Sequence, residues 1–188
     1  MNRTISILFT IVTIIIISSC NDPIVSQSPD LIEKNFPEDY LGIYKGELDI
    51  TTSNGLNSIP MEFHLNATDD TENFEYKIFY GEERSERAYN LKRTHNPNLF
   101  LVDENNGIIL ETAYANKTLF STYEVMGNLL NCTEVFHDDK MEFMITMARV
   151  QDTSNTGSAE SAFVTNYPIS VMQKAVLYKQ KDTTATIQ

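Results

Sequence analysis

The chain has 188 residues, 41% apolar and 21% charged, enough for one globular domain burying about two-thirds of its unfolded surface. Acidic residues outnumber basic ones 26 to 14, a net charge of −12, so no nucleic-acid partner is expected. Two cysteines are too few for a disulfide framework.

Residues 1–20 read MNRTISILFTIVTIIIISSC. Arg3 is followed by an uncharged run from Ile5 to Ile17, and the small residues Ser18 and Ser19 lead into Cys20. A basic start, a short apolar middle and small residues at the exit predict a cleaved secretory signal over 1–19. The apolar run falls short of the roughly 20 residues that a membrane-spanning helix needs. Its end, Ile17-Ser18-Ser19-Cys20, resembles the lipobox of bacterial lipoproteins. That resemblance implies cutting before Cys20, acylation of its thiol by a fatty acid such as palmitate, and acylation of the new amino terminus. Two or more chains hold a protein stably in a membrane, at about 0.8 kcal/mol per buried methylene. Cutting there removes Arg3 and no acid, so lipid rather than charge must do the holding. With Cys20 acylated, Cys132 has no disulfide partner, and its place between Leu130 and Glu134 predicts a buried structural thiol.

Residues 20–38 read as a lipidated tether without strong period, in which Ser28-Pro29 opens a short helical turn through Leu31, Ile32 and Phe36 that Pro37 stops. From Tyr40 the period becomes two. Tyr40, Gly42, Tyr44, Gly46, Leu48 and Ile50 share one face, then Ile59, Met61, Phe63 and Leu65, then Phe74, Tyr76, Ile78 and Tyr80. Tyr89 and Leu91 follow, then 99–102, then Ile108, Leu110, Thr112 and Tyr114. Leu119, Tyr123 and Val125 precede Leu130, Cys132 and Phe136, and Met141, Phe143, Ile145 and Met147 come next. The segment 169–179 alternates poorly and fits a last strand or a helix. The polar stretch 151–166 fits either a disordered surface insertion or a lid. The prediction is all-β: an antiparallel up-and-down meander of about ten strands over 39–180, closing into a barrel, with a flexible tail at 181–188.

The opening strand Gly42-Ile43-Tyr44-Lys45-Gly46-Glu47-Leu48 behind a lipobox resembles the lipocalin-like small lipoproteins of Gram-negative, Bacteroidetes-like envelopes. It is similar to the Gly-x-Tyr-x-Gly strand of the copper-stress envelope lipoproteins. Their Cys-x-x-Cys pair is replaced here by Ile50-Thr51-Thr52-Ser53, so a copper or redox role is not implied. The lipocalin Gly-x-Trp is absent too, since the chain has no tryptophan.

Charges on inward faces are the candidate ligand contacts. Arg87 shares a face with Tyr89, Glu134 with Cys132 and Phe136, and Arg149 ends the face of Phe143 and Ile145. Each fits a ligand contact, an internal ion pair, or a strand-end charge reaching water. An arginine beside tyrosines would suit a carboxylate or sulfate head, with Tyr44, Phe63, Tyr76 and Tyr89 around an apolar body. Core packing accounts for the same aromatics. His64, His95 and His137 lie on separate elements, and His137-Asp138-Asp139 with Glu142 reads as an acidic turn, so no metal or cofactor is expected. No enzyme motif appears. Two readings remain: a non-catalytic envelope binding protein for a small, partly apolar ligand, or a filled barrel that docks another envelope protein. A connected interior of roughly 300 Å³ or more would favour the ligand. The expected place is the outer membrane facing the periplasm, or the cell surface.

Overall fold

The computed structural model describes residues 34–181, so the signal over 1–19, Cys20, most of the tether and the tail beyond Lys181 lie outside the described residues. Strands β1 (Gly42–Thr52), β2 (Gly55–Ala67), β3 (Asn73–Tyr80), β4 (Ser85–Arg93) and β5 (Leu99–Asp103) pair antiparallel, each with the one before it. The meander continues through β6 (Ile109–Ala115), β7 (Thr118–Val125), β8 (Asn128–Phe136) and β9 (Lys140–Arg149). Two three-residue strands, β10 (Ser154–Thr156) and β11 (Val164–Asn166), pair with each other. Strand β12 (Ile169–Lys179) then pairs with both β9 and β1, closing a ten-stranded antiparallel barrel. Closure gives every barrel strand two neighbours and removes exposed edges.

Along the middle of the barrel the inward faces are those the alternation predicts, whereas Ile108 and Val125, expected inward, are exposed where the sheet ends. Tyr44, Leu48, Met61, Phe63, Leu65 and Leu91 are fully or almost fully buried, together with Phe136, Met141, Phe143 and Leu177. The segment 169–179 is a strand and not a helix. Its weak alternation lies in the residue types: Gln173 takes an inward position while Met172, Val176 and Tyr178 face outward, and a register shift against β9 between Ile169 and Val171 marks only its first residues. Close approach at the seam depends on Gly46, where a Cβ would stand 2.4 Å from the Val176 carbonyl oxygen. No side chain but hydrogen fits there.

One end of the barrel is sealed. Phe36 stacks on Tyr114 with ring centroids 4.3 Å apart and meets Phe100 edge-on at 5.2 Å. A 3-10 turn at Glu38–Tyr40 places Tyr40, fully buried, beside Phe136. The Tyr44 hydroxyl donates to the Tyr40 carbonyl at 2.5 Å, and Arg93 pairs with Glu38 outside the plug. The helical turn expected to end at Pro37 lies almost wholly outside the described residues; the one helical turn among them, Glu38–Tyr40, starts just after Pro37, as proline suits the start of such a turn. Phe36, placed by sequence in the tether, belongs to the barrel core, since an aromatic ring that can cover the sealed end gains more by burial than by exposure.

The turns at 53–54, 81–84, 104–108 and 126–127 gather at the opposite end, with the arm formed by β10 and β11. That arm replaces the disordered or lid-like segment expected over 151–166. Its strand residues are all exposed, and none of them lines the interior cavity.

Candidate functional site

Most of the interior is filled, but one side is not. Thr112 on β6, Ser121 on β7 and Cys132 on β8 put short side chains inward where most of the wall carries aromatic rings or leucine, isoleucine and valine. Ser121 and Cys132 are paired in register, so the two shortages coincide. The result is a cavity of about 90 Å³, bounded below by Tyr76 and Glu134 and leading toward Tyr80, Glu104 and Tyr123 near the unsealed end.

Glu134 is the polar centre of this cavity. It is 6% exposed, and its Oε1 accepts a hydrogen bond from the Tyr76 hydroxyl across the barrel. No donor among the described residues reaches Oε2. Burial pushes the carboxyl up to about 7, against the opposing pull of the Tyr76 hydrogen bond. The same burial, reinforced by the nearby Glu134 charge, holds the Tyr76 hydroxyl well above its ordinary range. Tyr80, Tyr89 and Tyr123 are raised chiefly by burial as well. Cys132 is pushed up to about 11 by burial, although the Tyr123 hydroxyl lies 3.7 Å from Sγ and opposes the shift. At neutral pH the thiol and the phenols keep their protons, and Glu134 alone stands at its titration point.

The sequence candidates divide cleanly. Tyr76, Tyr89 and Glu134 line the cavity. Tyr44 and Phe63 do not; they are wholly buried in the packed side, with ring centroids 6.2 Å apart. Arg87 and Arg149 are exposed. Both sit where their strands reach the rim, and a guanidinium on a flexible stem turns to water there instead of entering an apolar interior. Arg149 faces Asp152 at 3.9 Å and borders a separate outer groove with 51–53 and 169–172. The structure places the two arginines at the rim, and the charged side chains that line the cavity are Glu134 and Glu104. Sequence reasoning passed over Tyr80, Tyr123, Thr112 and Ser121 as site residues. Their signal was present: Ser121 is a short polar residue at an inward position between Leu119 and Tyr123.

Other ionic groups have structural partners. Glu62 on the outer face of β2 is held by Arg84, by His64 Nε2 at 3.0 Å and by Lys45 at 3.0 Å. In the acidic turn, Asp138 pairs with Lys34 at 2.6 Å, and Glu142 lies 3.4 Å from His137.

No protein-family model matches the sequence, and no curated protein matches it significantly. Among solved structures, the chain is similar to a protein of unknown function of the DUF3598 family from Nostoc punctiforme, with a TM-score of 0.56 and 9% identity. The likeness covers 76% of this chain and 48% of that one, so the chain spans about half the length of its neighbour. At this identity the likeness concerns the fold alone, a closed antiparallel β-barrel.

Proposed function

We propose that this is a lipid-anchored, non-catalytic binding protein of the cell envelope, held by acyl chains on Cys20 and receiving a small molecule inside its barrel. One observation carries the reading: a cavity of about 90 Å³ that contains a buried carboxyl with one oxygen unpartnered among the described residues. A half-satisfied buried polar group costs a purely structural core on the order of 1–3 kcal/mol. A ligand donor at Oε2 would offset that cost. The cavity does not reach the roughly 300 Å³ that would favour a ligand, so volume does not support this reading; the buried carboxyl does, and the ligand, or the part of it that enters, must be small. A non-catalytic role agrees with the site's groups. The Cys132 thiol, at about 11, supplies hardly any thiolate nucleophile at neutral pH. The lipobox-like end at Cys20 supports a place in the envelope, on the periplasmic side of the outer membrane, with the cell surface as the alternative.

A second reading has its own observation. Leu56, Ile108, Met126 and Phe163 are exposed on the turns and arm at the unsealed end, with Met126 at 95%. Such a rim favours a module that meets another envelope protein there.

Native mass spectrometry of the protein purified from its own membranes tests the first reading. The expected spectrum contains a small adduct together with the mass of the acyl chains. Ser121→Leu, which fills the cavity, should lose the adduct and keep the lipid; an adduct that survives would remove the barrel interior from the reading. Cys20→Ala should move the chain from the membrane fraction to the soluble one, and a variant still held by membranes would refute the anchor.

A further inference from the structure

We propose that the cavity takes the ammonium group of a small organic amine, seated against the unpartnered oxygen of Glu134 and walled by tyrosine rings. This rests on the reading of the barrel interior as a binding site, and it specifies the ligand's charge.

Strand β3 contributes Tyr76 and Tyr80, β4 contributes Tyr89, β7 contributes Tyr123, β8 contributes Cys132, and β9 contributes only the apolar Phe143 and Ile145. Among the described residues no lysine or arginine forms an ion pair with Glu134. A buried carboxylate needs an opposite charge and further hydrogen bonds to be tolerated, and here one oxygen has only the Tyr76 hydroxyl. An ammonium brings both at once: positive charge, and N–H donors for Oε2. The four phenol rings add faces of negative potential that attract a cation, more strongly in a site shielded from water. At the entrance Glu104 lines the wall, and the body as a whole is strongly acidic, which concentrates cations and repels anions. Arg87 opposes this only at the rim, where it is exposed.

Size narrows the class further. A cavity of about 90 Å³ is several times smaller than an ordinary ligand pocket. It accommodates an ammonium and its first carbons, with any longer apolar part directed along Tyr80 and Tyr123 toward the unsealed end. A carboxylate or sulfate head would meet Glu134 with like charge and find no guanidinium inside.

Three probes of equal length separate charge from shape: butylammonium, 1-butanol and butyrate, titrated calorimetrically into the full-length protein. Butylammonium should bind, butyrate should not, and the amine should bind at least about tenfold more weakly at about pH 5.5 than at about pH 8, since Glu134 must give up its proton. Glu134→Gln should weaken the amine by about tenfold or more, and by more than it weakens butanol. A measurement on the unaltered chain accompanies this: the Glu134 carboxyl, followed by carbon-13 NMR, should titrate at lower pH with the amine present. Equal binding of butanol and amine, indifferent to Glu134→Gln and to pH, would overturn the amine and leave the cavity as a site for neutral molecules. Absence of binding by all three probes, with no shift in the Glu134 titration, would overturn the amine, and an adduct-free native mass spectrum would take the binding reading with it.

Discussion

Glu134 and Glu62 are two carboxyls that the fold moves in opposite directions, and the difference is a matter of partners. Burial alone would raise both. At Glu62 the hydrogen bonds from Arg84, His64 and Lys45 outweigh it and hold the group down at about 2. At Glu134 the single Tyr76 hydroxyl does not, and the group stands at about 7. The signs for stability follow from proton binding. Between 4.5 and about 7 the folded chain keeps the Glu134 proton that the unfolded chain releases, so stability falls as pH rises through that window. At about 1.4 kcal/mol per pH unit, the loss comes to about 3 kcal/mol. Glu134→Gln should therefore match the natural protein at about pH 4.5 and exceed it by about 2–3 kcal/mol at about pH 8. Urea denaturation at the two pH values measures this, and an equal midpoint difference at both would contradict it. Glu62 acts on the other flank: its stabilisation is complete above 4.5 and is lost as pH falls toward about 2. The shift at Glu134 was not legible in the chain, because an inward position in an alternating strand does not say which residue will stand opposite. Tyr76 and Glu134 are 58 residues apart.

At the scale of elements, the closure seam is the consequential contact. Strand β1 meets β12 over the pairs from Tyr44↔Lys179 to Thr52↔Val171, joining the first and last barrel strands in sequence. The seam runs closest at Gly46, where the obstacle to a side chain is the Val176 backbone and not a rotatable group. Gly46→Ala should cost about 3 kcal/mol, the upper range for overpacking, and should appear as a lower denaturation midpoint with faster amide exchange along β12. Unchanged exchange in β12 would show that the seam can spread freely. Alternation revealed β1, and its glycines signalled a close approach; the segment that forms β12 fitted a strand or a helix. The identity of the approaching strand was not readable, because β12 puts polar Gln173 inward and Met172, Val176 and Tyr178 outward, which blurs its own period.

For the molecule as a whole, the barrel is complete without the arm. Strands β10 and β11 pair only with each other, and β12 re-enters the sheet directly beside β9. Replacing residues 153–167 by a short Gly-Ser turn should change stability by less than about 1 kcal/mol, since shortening a flexible loop alters closure entropy only weakly. A loss of several kcal/mol in thermal unfolding would mean that the arm holds the β9–β12 pair together. The same variant keeps Glu134 and the tyrosines, so the cavity should persist in it.

The sequence by itself determined the strand-rich class, the order of the hairpins and which side chains face inward along the middle of the barrel. Each of those is a local property: a period of two, broken by turn residues, is written into neighbouring positions. It also carried the Cys20 motif, which needs no fold to be read. The tertiary structure alone decided that Phe36 seals one end, that Arg87 and Arg149 stand in water, and that Thr112, Ser121 and Cys132 leave a gap beside Glu134. Those outcomes depend on which rings fill a closed interior from several strands at once, and volume in a barrel is shared between residues far apart in the chain.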